Sequence, residues 1–200
     1  MLTPVAPGTA PHNGFVGAQP AVVHFNYSHD GILRSVKESL TRRGLTHINL
    51  LRVHDVGIFT HGAEAPRHMA DFMDSGIVAL NQLKQQGVIG AWGIGVNEVA
   101  VSLKVIERTL PDVILMAGRY SLLDRTAEAD LLPVCRAKGV PLVLGGVVNT
   151  GILATGAVPD AKFNYETASP DILARVAAMG GHCMDHGTSH LTAALTFPQG

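Results

Sequence analysis

Four short apolar runs, each followed by a stretch with helical periodicity, constrain this chain more than any other feature. They occupy residues 48–54, 88–96, 113–120 and 141–148. Strict alternation of this kind implies an α/β fold with a parallel sheet and right-handed crossovers. In such sheets, chemistry gathers beyond the carboxyl ends of the strands. The first run, Ile48-Asn49-Leu50-Leu51-Arg52-Val53-His54-Asp55, delivers a histidine at that end. Imidazole donates and accepts near neutral pH, which suits polarising a carbonyl or an alcohol. The chain holds ten histidines, so this ring also reads as one that merely ends a strand.

The intervening segments read as helices. Residues 22–27 are a short extended candidate, after which Ser28 or Asp30 can cap a helix carrying Ile32, Leu33, Val36 and Leu40 and ending near Gly44. Met69, Phe72, Met73, Ile77, Leu80 and Leu83 recur at three- and four-residue steps in the clearest helix, which Gly87 stops. Further helices are expected over 98–110, 126–138, 170–186 and 191–197. Residues 1–21 hold Pro4, Pro7, Pro11, Pro20 and three glycines and are expected to be loop or tail. The domain then runs over 22–200.

Length and charge narrow the function classes. Two hundred residues suffice for one domain with a real core, although a full eight-fold barrel takes about 250. The net charge of −1, with no basic block, argues against nucleic acid as a partner. No apolar run reaches the roughly 18 residues that would make a spanning candidate, so no membrane role is expected. The N-terminal residues lack a signal-peptide pattern. Cys135 and Cys183 have no CxxC spacing and read as reduced thiols of a cytoplasmic protein. A hydrophobic content of 46% and a mean hydropathy of +0.23 are high for a soluble domain.

Several segments, taken in order, resemble the aldo-keto reductase family, most nearly its aldose and pyridoxal dehydrogenase branch. They are Phe25-Asn26-Tyr27-Ser28-His29-Asp30-Gly31, Val53-His54-Asp55, Thr60-His61-Gly62, Gly93-Ile94-Gly95-Val96-Asn97-Glu98, Ala117-Gly118-Arg119-Tyr120-Ser121 and Gly145-Gly146-Val147-Val148-Asn149-Thr150-Gly151. Asn26 stands where the family usually has an aspartate. The resemblance implies a partial (β/α)8 TIM barrel, covering about strands 4 to 7 with their helices, with strands 1–3 and 8 missing. It implies NAD or NADP as cofactor and a small aldose or aldehyde as substrate. Of the family's Asp, Tyr, Lys and His, only the His carries over, onto His54. The chain is therefore expected to be truncated at both ends and impaired. The alternative is a non-catalytic half-barrel acting through self-association at open sheet edges, or through a partner.

The same resemblance assigns cofactor contacts to Asn97, Glu98, Arg119, Gly145, Gly146, Asn149, Thr150 and Gly151. Each has a plainer reading. Asn97 can cap the following helix, Arg119 can pair with Asp124 or Glu128, and the glycines can simply turn the chain. Arg52 shares a strand face with His54, so either a carboxylate reaches it or the strand is not enclosed there. The sole tryptophan, Trp92, reads as core or pocket wall. The glycine run 90–95 has the wrong spacing for a nucleotide fingerprint. His182, Cys183, His186 and His190 lack a second ligand cluster, so no metal site is expected.

Overall fold

A computed structural model describes residues 2–6, 8, 17 and 19–199. The chain opens with strand β1 (Leu2–Pro4), which pairs antiparallel with β2 (Ala21–Val23). This corrects the loop-or-tail expectation at residues 2–4. A three-residue strand is specified by its partner's backbone, not by a period that sequence could reveal. Most of the remaining residues to 21 lie outside the described ones.

Helix α1 (His29–Arg43) begins where Ser28 Oγ accepts from the Gly31 N–H, and ends at Gly44 with φ 63°. A Cβ at position 31 would stand 2.4 Å from Asn26 Oδ1, so glycine there lets the helix start close against the incoming strand. Strand β3 (Ile48–His54) follows, then the short α2 (Ile58–His61), α3 (Ala65–Asp71) and α4 (Ile77–Gln85). The single helix expected around Met69–Leu83 is interrupted by one π turn, Phe72–Gly76. That widened turn brings Gly76 so near Tyr27 that a Cβ would lie 2.3 Å from the Tyr27 carbonyl oxygen. Phe72, Ile77, Leu80 and Leu83 are buried all the same, because the extra residue restores the apolar stripe on the far side of the turn.

Strand β4 (Ile89–Val96), helix α5 (Val99–Arg108) and strand β5 (Val113–Ala117) come next. The helix expected over 126–138 divides at Asp130 into α6 (Thr126–Ala129) and α7 (Leu131–Lys138). Pro133 has no N–H to give the carbonyl four residues back, at Ala129, and the break falls there. Strand β6 (Leu142–Gly145) stops at Gly146, with φ 61°, three residues before the apolar run ends. The Gly- and Pro-rich stretch beyond holds α8 (Ile152–Thr155) and a hairpin of β7 (Lys162–Phe163) and β8 (Glu166–Thr167). Helices α9 (Pro170–Asp185) and α10 (His190–Thr196) complete the chain.

Strands β3, β4, β5 and β6 form one parallel sheet in that order. Their two faces differ sharply. Val53, Trp92, Ile94, Val96, Ile114 and Met116 point to the helices and are buried, joining the main core with Ile32, Val36, Leu80 and Val105. The register places Leu50, Arg52 and His54 opposite Ala91, Gly93 and Gly95, then Leu115, Ala117, Val143 and Gly145, on the other face. There Leu50 is 40% exposed and Val143 43%. Arg52 is exposed as well, so the strand is not enclosed there and no buried charge needs a partner. A smaller core of Leu123, Ile152, Leu153, Val176 and Ala194 anchors the C-terminal helices.

Candidate active site at the carboxyl end of the sheet

Parallel strands put all their carboxyl ends on one side, and the expected site residues lie there. His54 ends β3 in register with Gly95. Its side chain is 78% exposed, and Nδ1 lies 2.8 Å from Asp55 Oδ2. Contact with the Asp55 carboxylate raises the His54 pKa, against desolvation and the nearby Arg52 charge. A cavity of about 250 Å³ opens beside it, bounded by Phe25, Asn26 and Tyr27, by Ser35 of α1, and by Arg52 and His54.

Beneath the His54–Asp55 backbone sits a cluster of rings. The buried Tyr27 hydroxyl lies 3.0 Å from the His54 carbonyl oxygen, 2.9 Å from that of Asp55 and 2.8 Å from His61 Nε2. His61 Nε2 is itself 2.8 Å from the Asp55 carbonyl. Burial, then the Asp55 charge, push the Tyr27 pKa well up, so its hydroxyl keeps its proton. The rings of Tyr27 and His68 meet edge-on at 5.2 Å, and those of His61 and His68 lie 4.3 Å apart. His68 is buried with Nδ1 unpartnered, and desolvation lowers its pKa.

The loops after the four strands are tied in series. Glu98, after β4, does not cap its own helix with its side chain; its carboxylate accepts from the N–H groups of Ile58 (3.1 Å) and Phe59 (3.0 Å) at the start of α2. Gly57 is what lets it approach, since a Cβ there would stand 2.0 Å from Glu98 Oε1. Asn97 leads into α5 without serving as its N-cap, which is Glu98. Arg119, after β5, donates from Nε to the Asn97 carbonyl (2.7 Å), and from Nη1 to Asp124 and Asn164 (both 3.0 Å). Its guanidinium is largely buried, so the pair with Asp124 is a structural tie rather than a surface one. At the end of β6, Gly145 accepts from the Gly118 N–H (2.8 Å), and beyond it the buried Asn149 donates to the Gly118 carbonyl (3.1 Å) while accepting from Ser121 Oγ.

The donor set divides when weighed against a dinucleotide. Glu98, Arg119 and Asn149 spend their polar groups on these ties. The backbone around Gly146, Asn149, Thr150 and Gly151, all at positive φ, forms a turn rather than regular strand, and Gly146 and Thr150 are exposed. Such a turn can face a phosphate. The half-buried Asn97 side chain lies at the same sheet end.

Asp55, Tyr27, His61 and Ser121 lie within the segments that carry the resemblance but have no role assigned from sequence, and Asn164 is signalled by nothing local. Among the described residues, no group of three or more His, Cys, Asp or Glu side chains converges as a metal site, and no helix is long and apolar enough to cross a membrane.

Comparison with known proteins places this arrangement. The chain is 39% identical over 175 residues to a pyridoxal 4-dehydrogenase of Microbacterium luteolum, a match covering 87% of the chain and 51% of that protein. It is 30% identical over 176 residues to a D-threo-aldose 1-dehydrogenase of a Pseudomonas species, covering 87% and 51%. The chain thus spans about half the length of the curated relatives it matches. Among solved structures, an aldo-keto reductase of Bacillus halodurans in its holo form aligns with a TM-score of 0.57 at 27% identity, covering 84% of the chain and 57% of that structure. A glycerol dehydrogenase of Gluconobacter oxydans shares the fold at a TM-score of 0.65 and 21% identity, covering 92% and 57%. The aldo/keto reductase family profile matches residues 16–197, and the chain belongs to that family.

Proposed function

We propose that the chain serves an NAD(P)-dependent oxidoreductase that oxidises an aldose, or a pyridoxal-like hemiacetal, to a lactone in the cytoplasm. The observation that carries this reading is His54, exposed at the carboxyl end of β3 beside a cavity, in a chain 39% identical to a pyridoxal dehydrogenase. His54 is proposed to hydrogen-bond the reacting oxygen. Asn97 and the backbone of residues 145–151 would hold the nucleotide, with Glu98 and Arg119 fixing the loops that present it. Nicotinamide, when bound, supplies the hydride acceptor. By resemblance, only the His of the family's Asp, Tyr, Lys and His carries over onto these 200 residues, and general acid–base catalysis typically contributes about 10²–10⁴-fold. Turnover by the chain alone is therefore expected to be at least 10²-fold below that of an intact dehydrogenase. Equilibrium dialysis against NAD and NADP, with an assay on L-fucose and pyridoxal, tests this. Binding of one nucleotide with weak or no turnover is expected. Absence of binding to either would overturn the nucleotide role, and turnover at an intact enzyme's rate would overturn the impairment.

A second reading has its own observation. Among the described residues, strands β3 and β6 each have one neighbour only, and Leu50 and Val143 are exposed on the uncovered face. Unpaired parallel edges invite pairing with another chain. Size-exclusion chromatography with light scattering separates the two, since a monomer across concentrations would count against association.

A further inference from the structure

The strand places His54, but the next residue decides what its ring presents. Nδ1 stands 2.8 Å from Asp55 Oδ2. A carboxylate has no proton to donate, and two lone pairs facing each other at that distance repel, so the imidazole proton belongs on Nδ1. In the neutral ring Nε2 then carries the free lone pair. The Asp55 backbone is held in place. Its φ is 44°, in the left-handed region that aspartate enters more readily than most residues but still at a cost, so its surroundings hold it there. Those surroundings are the Tyr27 hydroxyl and His61 Nε2 on the Asp55 carbonyl, and the Asp55 N–H donating to the Gly95 carbonyl at 3.0 Å.

We infer that Asp55 is a positioning residue that fixes His54 as a hydrogen-bond acceptor at Nε2, matching the ring to the hydroxyl of a sugar hemiacetal rather than to a carbonyl. The inference rests on, and deepens, the role proposed above for His54. The charged groups bearing on the ring are Asp55 and Arg52, both of β3 or its end, and the titratable His24 lines the cavity beside it. Strand β4 presents Gly95 to it, where a Cβ would stand 3.5 Å from His54 Cδ2. Asp55 raises the His54 pKa, so the acceptor form is lost as pH falls through that raised value. Below it both nitrogens donate, and a carbonyl oxygen becomes the better match.

Long-range ¹H–¹⁵N spectra of the chain labelled at histidine, with His54→Gln for assignment, test the inference directly. The expected result at pH 8 is His54 protonated at Nδ1, titrating above the ordinary histidine value of 6.5. Asp55→Gly removes the carboxylate at a φ that glycine accepts without strain, so the fold is kept. It should move the proton to Nε2 and lower the pKa. A wild-type ring protonated at Nε2, or a tautomer unchanged in Asp55→Gly, would overturn the inference. A correct tautomer left unperturbed by both L-fucose and pyridoxal would instead overturn the substrate role of His54, with the role of Asp55 upheld.

Discussion

Gly93 and Gly95 sit two residues apart on one face of β4, yet they answer to different neighbours. A Cβ at Gly93 would lie 2.0 Å from the Val113 carbonyl oxygen, which is backbone of the paired strand and cannot step aside. A Cβ at Gly95 would touch only His54 Cδ2, at 3.5 Å, an ordinary contact. Gly93→Ala is expected to destabilise the sheet by about 1–3 kcal/mol, while Gly95→Ala costs well under that; urea denaturation of both variants decides it. His68 makes a second prediction at this scale. Burial favours its neutral form, so the unfolded chain binds more protons as pH falls from about 6.5 towards the lowered folded value. Stability should drop through that window on acidification. His68→Phe, which keeps a ring against Tyr27 and His61 and deletes the unpartnered Nδ1, should flatten that drop, as read by thermal melts at pH 7.5 and pH 5. At this scale the sequence was partly legible. His54 and Trp92 stood out by place and rarity. His68 did not, because nothing around it in sequence marks a ring buried by Tyr27, more than forty residues away.

At the scale of elements, the caps were legible and the interruptions were not. Ser28 and Gly44 bound α1 as their chemistry dictates, since each acts on backbone a few residues away. The π turn at Phe72–Gly76 answers to the close approach of Tyr27, and the early end of β6 to the left-handed Gly146, so both depend on distant contacts or on local φ that composition does not fix. The same limit explains Glu98. The resemblance implied a cofactor contact there, and nothing local in sequence signalled that its carboxylate caps α2, which follows the neighbouring strand. A side chain at a helix N-terminus is worth roughly 0.5–2 kcal/mol. Glu98→Ala should therefore loosen α2 and its loop, seen as faster amide exchange at Ile58 and Phe59, with a stability loss of that order. Unchanged protection at those two amides would count against the tie.

Across the whole molecule, the order of the four sheet strands and the longer helices followed from periodicity, because a sheet buried under helices on one face must repeat apolar runs at regular spacing, whereas β1, α2, α8 and the β7–β8 hairpin did not. Which residues meet at its carboxyl end did not follow, since register and loop ties are set between elements. The serial tying of the loops has a consequence for how such a site can change. Glu98 holds the loop before its own, Arg119 holds the residue next to Glu98, and Asn149 holds the residue next to Arg119. Geometry is thus handed from stem to stem, as through the links of a chain. Variation at the exposed tips leaves its neighbours alone, whereas a single altered stem propagates around the rim. On the function proposed above, a new ligand is therefore best reached by editing exposed tips, and lost most readily by editing stems.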